Sequence, residues 1–147
     1  MRTPLVETLI SGTVGAIAML PAGLAFRAFE MRVGHYGPKL AELYLTAPGP
    51  AVLFSQHIVI GWISAAPLVL LPLHVASKRT FLFAGLIYGA LYYLAINSLA
   101  LPLYFRDPLP WKLGWTVVLP SLVVHLIFGA AVAYSIQRLR RRTSSTR

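Results

Sequence analysis

Two long stretches without a single charged residue, separated by only a few positions, constrain this chain more than any other feature. Thr80 to Phe105 carries no Asp, Glu, Lys or Arg, and neither does Leu113 to Gln137. About 20 apolar residues in helical conformation cross the hydrocarbon core of a bilayer. Each run therefore reads as a transmembrane helix. The link between them, Arg106-Asp-Pro-Leu-Pro-Trp-Lys112, is short and holds two prolines. It can only turn the chain back, so the two runs form an antiparallel hairpin.

The hairpin has an internal register. Gly85, Gly89, Tyr93 and Asn97 recur every four residues and share one helix face; Ser121, His125, Gly129 and Ala133 do the same on the second run. Folding about residue 109 sets Asn97 near Ser121, Tyr93 near His125, Gly89 near Gly129 and Gly85 near Ala133. Small residues on facing helices let the backbones approach closely, and polar ones bond across the seam.

Composition generalises the reading to the whole chain. Only 12% of residues are charged, against roughly a quarter in soluble domains, and the mean hydropathy is +0.70. A net charge of +9 invites comparison with nucleic-acid binders. However, five of the thirteen basic residues (Arg138, Arg140, Arg141, Arg142 and Arg147) crowd into a tail without a stacking aromatic among them. Base stacking on aromatics is how single strands are held, so the expectation is no nucleic acid. The tail reads as a topology signal touching anionic lipid. With no cysteine, a disulfide framework, a thiolate metal site and a thiol nucleophile are all excluded.

Taken in order, the chain predicts an all-α, four-transmembrane-helix bundle in a single domain. The spans fall at approximately 7–29, 52–76, 80–104 and 114–137, followed by a basic tail over 138–147. Pro21 is expected to kink the first span, whose packing face is Ser11 and Gly15 with Gly12 and Ala16. Residues 30–50 read as a loop, with two helical turns beginning at Pro38. Pro67 and Pro72 should bend the second span, which has His74 near its end. Lys78 and Arg79 form the tight basic turn before the hairpin. With four spans both termini share a side. That side receives eight basic residues (Arg2, Lys78, Arg79 and the five tail arginines), and the opposite side receives five. Cytoplasmic loops collect Lys and Arg, so both termini are expected in the cytoplasm and the chain in the inner (plasma) membrane.

All four acidic residues lie at span ends or in loops, which argues against proton pumping or cation coupling. The candidate polar cluster within the spans is Gln56, His57, Tyr93, Asn97, Ser98, Ser121 and His125, with Tyr88 and Tyr92 beside it. At ~1.5 Å per residue, His57, Asn97 and Ser121 lie about 7–11 Å below the outer surface and His125 about 15–17 Å. This cluster has two readings. Its members bond one another and hold the helices in register, or they line a small water-filled or ligand-binding vestibule whose histidines sense or relay protons. A bis-histidine haem on His57 and His125 is disfavoured by the difference of about 8 Å in depth. His35 with His57 lacks an acidic or cysteine partner for a metal. No nucleophile, zinc-protease, phosphate-loop or dinucleotide fingerprint occurs. The expectation is therefore a non-enzymatic protein with no catalytic residue, cofactor or metal. Its Gly85-to-Gly89 face serves the internal seam, a homo-oligomer or another membrane protein.

Residues 83–142 resemble the YagU-like family of small multi-pass bacterial inner-membrane proteins. The resemblance rests on Gly85-Leu-Ile-Tyr-Gly-Ala90, Asn97-Ser-Leu-Ala-Leu-Pro-Leu103, Asp107-Pro-Leu-Pro-Trp111, and His125-Leu-Ile-Phe-Gly129 running into Arg138-Leu-Arg-Arg-Arg142, with His57-Ile-Val59 beyond it. It fades in the first span and in the loop that follows. The resemblance implies an inner-membrane protein connected with acid tolerance and brings no catalytic residues. The function expected is a structural, pH-responsive membrane component. A small oligomeric transporter or channel subunit comes second, and a haem-binding electron-transfer subunit third.

Overall fold

A computed structural model describes residues 3–71 and 77–144, the side chains of Lys78 and of 142–144 excepted. Arg2, Pro72, His74 and Arg147, with the side chains of Lys78 and Arg142, lie outside the described residues. The helices are α1 (Pro4–Ala18), α2 (Leu20–Ala28), α3 (Tyr36–Ala41), α4 (Pro50–Leu70) and α5 (Lys78–Tyr92). A π-helical segment (Tyr93–Ala100) follows, and then α6 (Leu101–Phe105), α7 (Pro110–Leu113) and α8 (Trp115–Ser144). Among the described residues, four helical stretches are long and apolar enough to cross a membrane: Pro4–Ala28, Pro50–Leu70, Arg79–Phe105 and Trp115–Arg141.

The starts and stops follow from local chemistry. Thr3 caps α1 by accepting from the Val6 amide, with Pro4 behind it. Ser77 caps α5 through the Thr80 amide at 3.2 Å. Helices α2 and α6 end alike, on a residue in the left-handed region: Glu30 at φ 58° and Arg106 at φ 55°. In each case the next amide reaches back five residues, Met31 to the Phe26 carbonyl at 3.0 Å and Asp107 to that of Pro102 at 2.9 Å. These bonds satisfy carbonyls that a helix C-terminus otherwise orphans.

Pro21 breaks the first span as expected and Pro102 disturbs the third, whereas Pro67, also expected to bend its span, lies within an uninterrupted α4. The first span divides at Met19, two residues before Pro21, since that proline has no amide to return and its ring crowds the preceding turn. Pro102 acts in the same way on the third span. It offers no amide to Ser98, and the ladder ahead of it is rewound into the π-helical turn, with the Leu101 amide bonding the Ile96 carbonyl. The interfacial helix α3 starts at Tyr36, ahead of Pro38.

The hairpin seam is a close one. A methyl added at Gly85 or Gly129 would collide with the other's carbonyl, one at Gly85 would also strike the Ala133 methyl, and one at Gly89 would strike the His125 carbonyl. The small face of α1 serves two neighbours. A Cβ at Gly12 would come 2.6 Å from the Gly61 carbonyl oxygen on α4, while one at Gly15 would meet Val132 and Phe128 of α8. The core is apolar: Ala65, Leu68, Val69, Phe81, Phe128, Val132, Ala133 and Ile136 pack together, toward the end of the spans opposite the 30–50 loop and the hairpin turn. At that end Arg140 turns inward. It meets Glu7 at 2.9 Å and donates to the Val69 carbonyl at 2.6 Å, so it holds α1, the end of α4 and α8 together rather than facing lipid. Arg138 keeps the exposed role, bonding Tyr134 one turn back.

Candidate functional site

On the loop side of that core the spans diverge around a cavity of about 670 Å³. Its floor is Phe128 with Ser64 and Tyr92, and its mouth lies among Arg27, Arg32 and His35. Three interhelical hydrogen bonds lie in or against its walls. Ser64 Oγ donates to the Tyr92 hydroxyl at 2.7 Å, and Tyr88 donates to the Ser64 carbonyl, joining α4 to α5. His57 Nε2 donates to the Ala16 carbonyl at 3.0 Å, one residue before the carbonyl that Pro21 cannot serve. His57 thus ties α4 to α1 beside the proline break.

His125 is fixed more tightly. Its Nδ1 lies 2.5 Å from the Ser121 carbonyl, which can only accept, so that nitrogen carries the proton. Nε2 is then the acceptor of the Asn97 amide at 2.5 Å. The ring also stacks on Tyr92, with centroids 5.8 Å apart and planes at 19°, and sits 5.9 Å from Tyr93. Asn97 thus reaches His125 directly, and Ser121 enters through its main chain. The four-residue row runs true as far as Tyr93, and the wider π-turn then re-aims Asn97.

Of the polar residues singled out from sequence, Gln56, His57, Tyr93, Asn97, Ser121 and His125 all line the cavity. Ser98 does not. It is fully buried, and its hydroxyl, like those of Tyr93 and Ser11, has no hydrogen-bond partner among the described residues. Gln56 is tied to the loop instead of to the histidines, donating to the Gly37 carbonyl at 2.9 Å and accepting from Tyr44. With both ring nitrogens of His125 committed, axial ligation of a haem there would require breaking this network. His35, considered with His57 for a metal, bonds Asp107 at 3.3 Å. Among the described residues no group of three His, Cys, Asp or Glu side chains could hold a metal ion.

Sequence reasoning missed the contacts that fasten the loop beside the mouth. Asp107, in the hairpin turn, takes both of its short contacts from Lys39 at 2.6 Å, and Lys39 lies 5.5 Å from the Phe105 ring centroid. Tyr36 stacks on Phe105 at 5.8 Å. The loop over residues 30–50 is thereby fastened across the hairpin turn, with the Arg32 amide bonded to the Thr116 carbonyl at 3.1 Å. The available signal was opposite charge in two loops on the same side of the bilayer, at Lys39 and Asp107.

No protein-family model matches the chain, and neither a curated protein nor a solved structure matches it. The site is read on its own geometry.

Proposed function

We propose that this is a non-enzymatic, multi-pass plasma-membrane protein that receives a small molecule in a vestibule between its spans. The observation that carries the reading is the cavity of about 670 Å³, within the ~300–1,000 Å³ typical of ligand pockets. Its histidines and Asn97 spend their hydrogen bonds on one another and on main chain. No Asp or Glu lines it, and no nucleophile in it is paired with a base. Below Phe128 the bundle is solid and apolar, which favours a blind vestibule over a pathway through one chain. An excess of basic residues on the terminal side supports cytoplasmic termini, with the vestibule opening outward and the remaining tail arginines on anionic lipid.

The test uses the absence of native cysteine. Ser121→Cys should react in intact cells with a membrane-impermeant maleimide, Phe83→Cys on the exposed face of α5 should not, and Ser144→Cys should react only after lysis. An inert Ser121→Cys would sink the vestibule.

A further inference from the structure

The residues at the cavity's mouth and along its rim differ in kind from those at its floor, and the difference specifies a ligand. Lys39 is neutralised by Asp107 at 2.6 Å. Arg27 and Arg32, unlike Lys39, line the cavity; they are exposed and have no carboxylate within 4.0 Å among the described residues. Their guanidinium groups are presented on short, fixed segments. Arg27 closes the last turn of α2 and lies over Gly34, whose φ of +71° folds the loop back beneath it. Arg32 is anchored by its amide to the start of α8. Two unneutralised guanidiniums at the entrance of a low-dielectric cavity attract an anion and suit a carboxylate or phosphate in fork geometry.

Beneath the arginines one wall is aliphatic and aromatic. Leu24, Phe54 and Ile63 line the cavity and yet are 65%, 50% and 69% exposed. Part of the wall is therefore an opening on the lipid-facing side of the bundle, at a depth where acyl chains lie. A water-soluble anion would have no use for that side opening, and a neutral hydrocarbon none for the arginines.

Resting on the vestibule reading above, we infer that the cavity holds an acyl amphiphile with an anionic headgroup. The headgroup sits between Arg27 and Arg32, and the chain lies in the apolar space walled by Leu24, Phe54 and Ile63. The headgroup is a carboxylate or a phosphodiester, and the ligand comes from the free fatty acid or from a single-chain phospholipid.

The experiment is native mass spectrometry of the full chain released from a neutral maltoside detergent. The protein is offered palmitate, palmitoyl lysophosphatidylglycerol or palmitoyl lysophosphatidylcholine in separate samples. At least one anionic amphiphile should be retained about tenfold more than the zwitterionic one, the scale of a single charge-assisted contact at a partly exposed site. Palmitate alone would identify a free acid and the glycerol lipid alone a membrane source. Arg27→Gln with Arg32→Gln should bring retention down to that of the choline lipid. Both positions are on the surface, so the fold should survive. Ser121→Cys, blocked by maleimide after folding, should lose the adduct. Equal retention of anionic and zwitterionic lipids overturns the inference, as does a preference that survives the arginine substitutions or an adduct that survives the block. A reactive Ser121→Cys with no amphiphile bound would refute the ligand class and leave the vestibule standing, whereas an unreactive one removes both.

Discussion

His35 shows how much one side chain's surroundings decide. Burial holds its ring below the ordinary imidazole value of 6.5, with Arg32 and Lys39 adding to the effect, while Asp107 pulls the other way. Asp107 itself is held below the usual carboxylate range, first by its hydrogen bond from Lys39. Tyr36, raised by burial, completes the group. For His35 and Asp107 alike the folded state binds protons less readily than the unfolded one, so stability rises with pH. The part due to His35 is fully present above 6.5 and is lost as pH falls through that value toward the lowered one. The part due to Asp107 erodes only below the ordinary carboxylate value of 3.8. Hydrogen exchange over residues 35–45, corrected for intrinsic rates, should therefore accelerate between about pH 7 and pH 5. His35→Gln should flatten that window; an unchanged profile would place the acid response elsewhere. His125 is a different case, because protonating Nε2 would set two donors face to face unless the Asn97 amide turns over.

Helix pairing in this molecule depends on backbones in contact, and glycines decide where that happens. At Gly89 the space for a side chain is occupied by the main chain of His125 and Leu126, while Gly23 has nothing within 4 Å of an added methyl. Gly89→Ala should lower thermal stability in detergent by about 1–3 kcal/mol, as overpacking against rigid backbone does. Gly23→Ala should raise it by about 0.5–1 kcal/mol through helix propensity alone. Circular dichroism melts would separate the two, and a Gly89→Ala as stable as the parent would mean that the seam is not close-packed. Trp62 illustrates a pairing made by polar atoms: its indole donates to Thr13 at 2.8 Å, and Thr13 donates back to the Leu9 carbonyl.

At the scale of the whole molecule the two ends are built differently. The loop end is open, and its polar groups surround a cavity. The other end is closed by Glu7, only 8% exposed, with Arg140 across from it. Removing one member of such a pair leaves a buried charge without its partner, which costs roughly 3–5 kcal/mol, whereas replacing both by apolar groups is far better tolerated. Arg140→Met should destabilise strongly, and Glu7→Met with Arg140→Met should recover much of the loss. A double variant no better than the single would show that the Val69 carbonyl, and not Glu7, is what Arg140 serves.

Sequence alone was enough to determine four membrane-length helices, the break before Pro21 and the facing of Gly85 and Gly89 against Gly129 and Ala133. Each follows from local rules: hydrocarbon thickness, a missing amide, and a four-residue period. It also brought His125 beside Tyr93. Tertiary structure alone decided the rest. The inward turn of Arg140 depends on Glu7 being 133 residues away in the chain and adjacent in space. The link from Asn97 to His125 depends on a π-turn whose only sequence signal is Pro102. The cavity is walled by residues of several spans and of the 30–50 loop at once, and no periodicity in any one helix encodes the space between them.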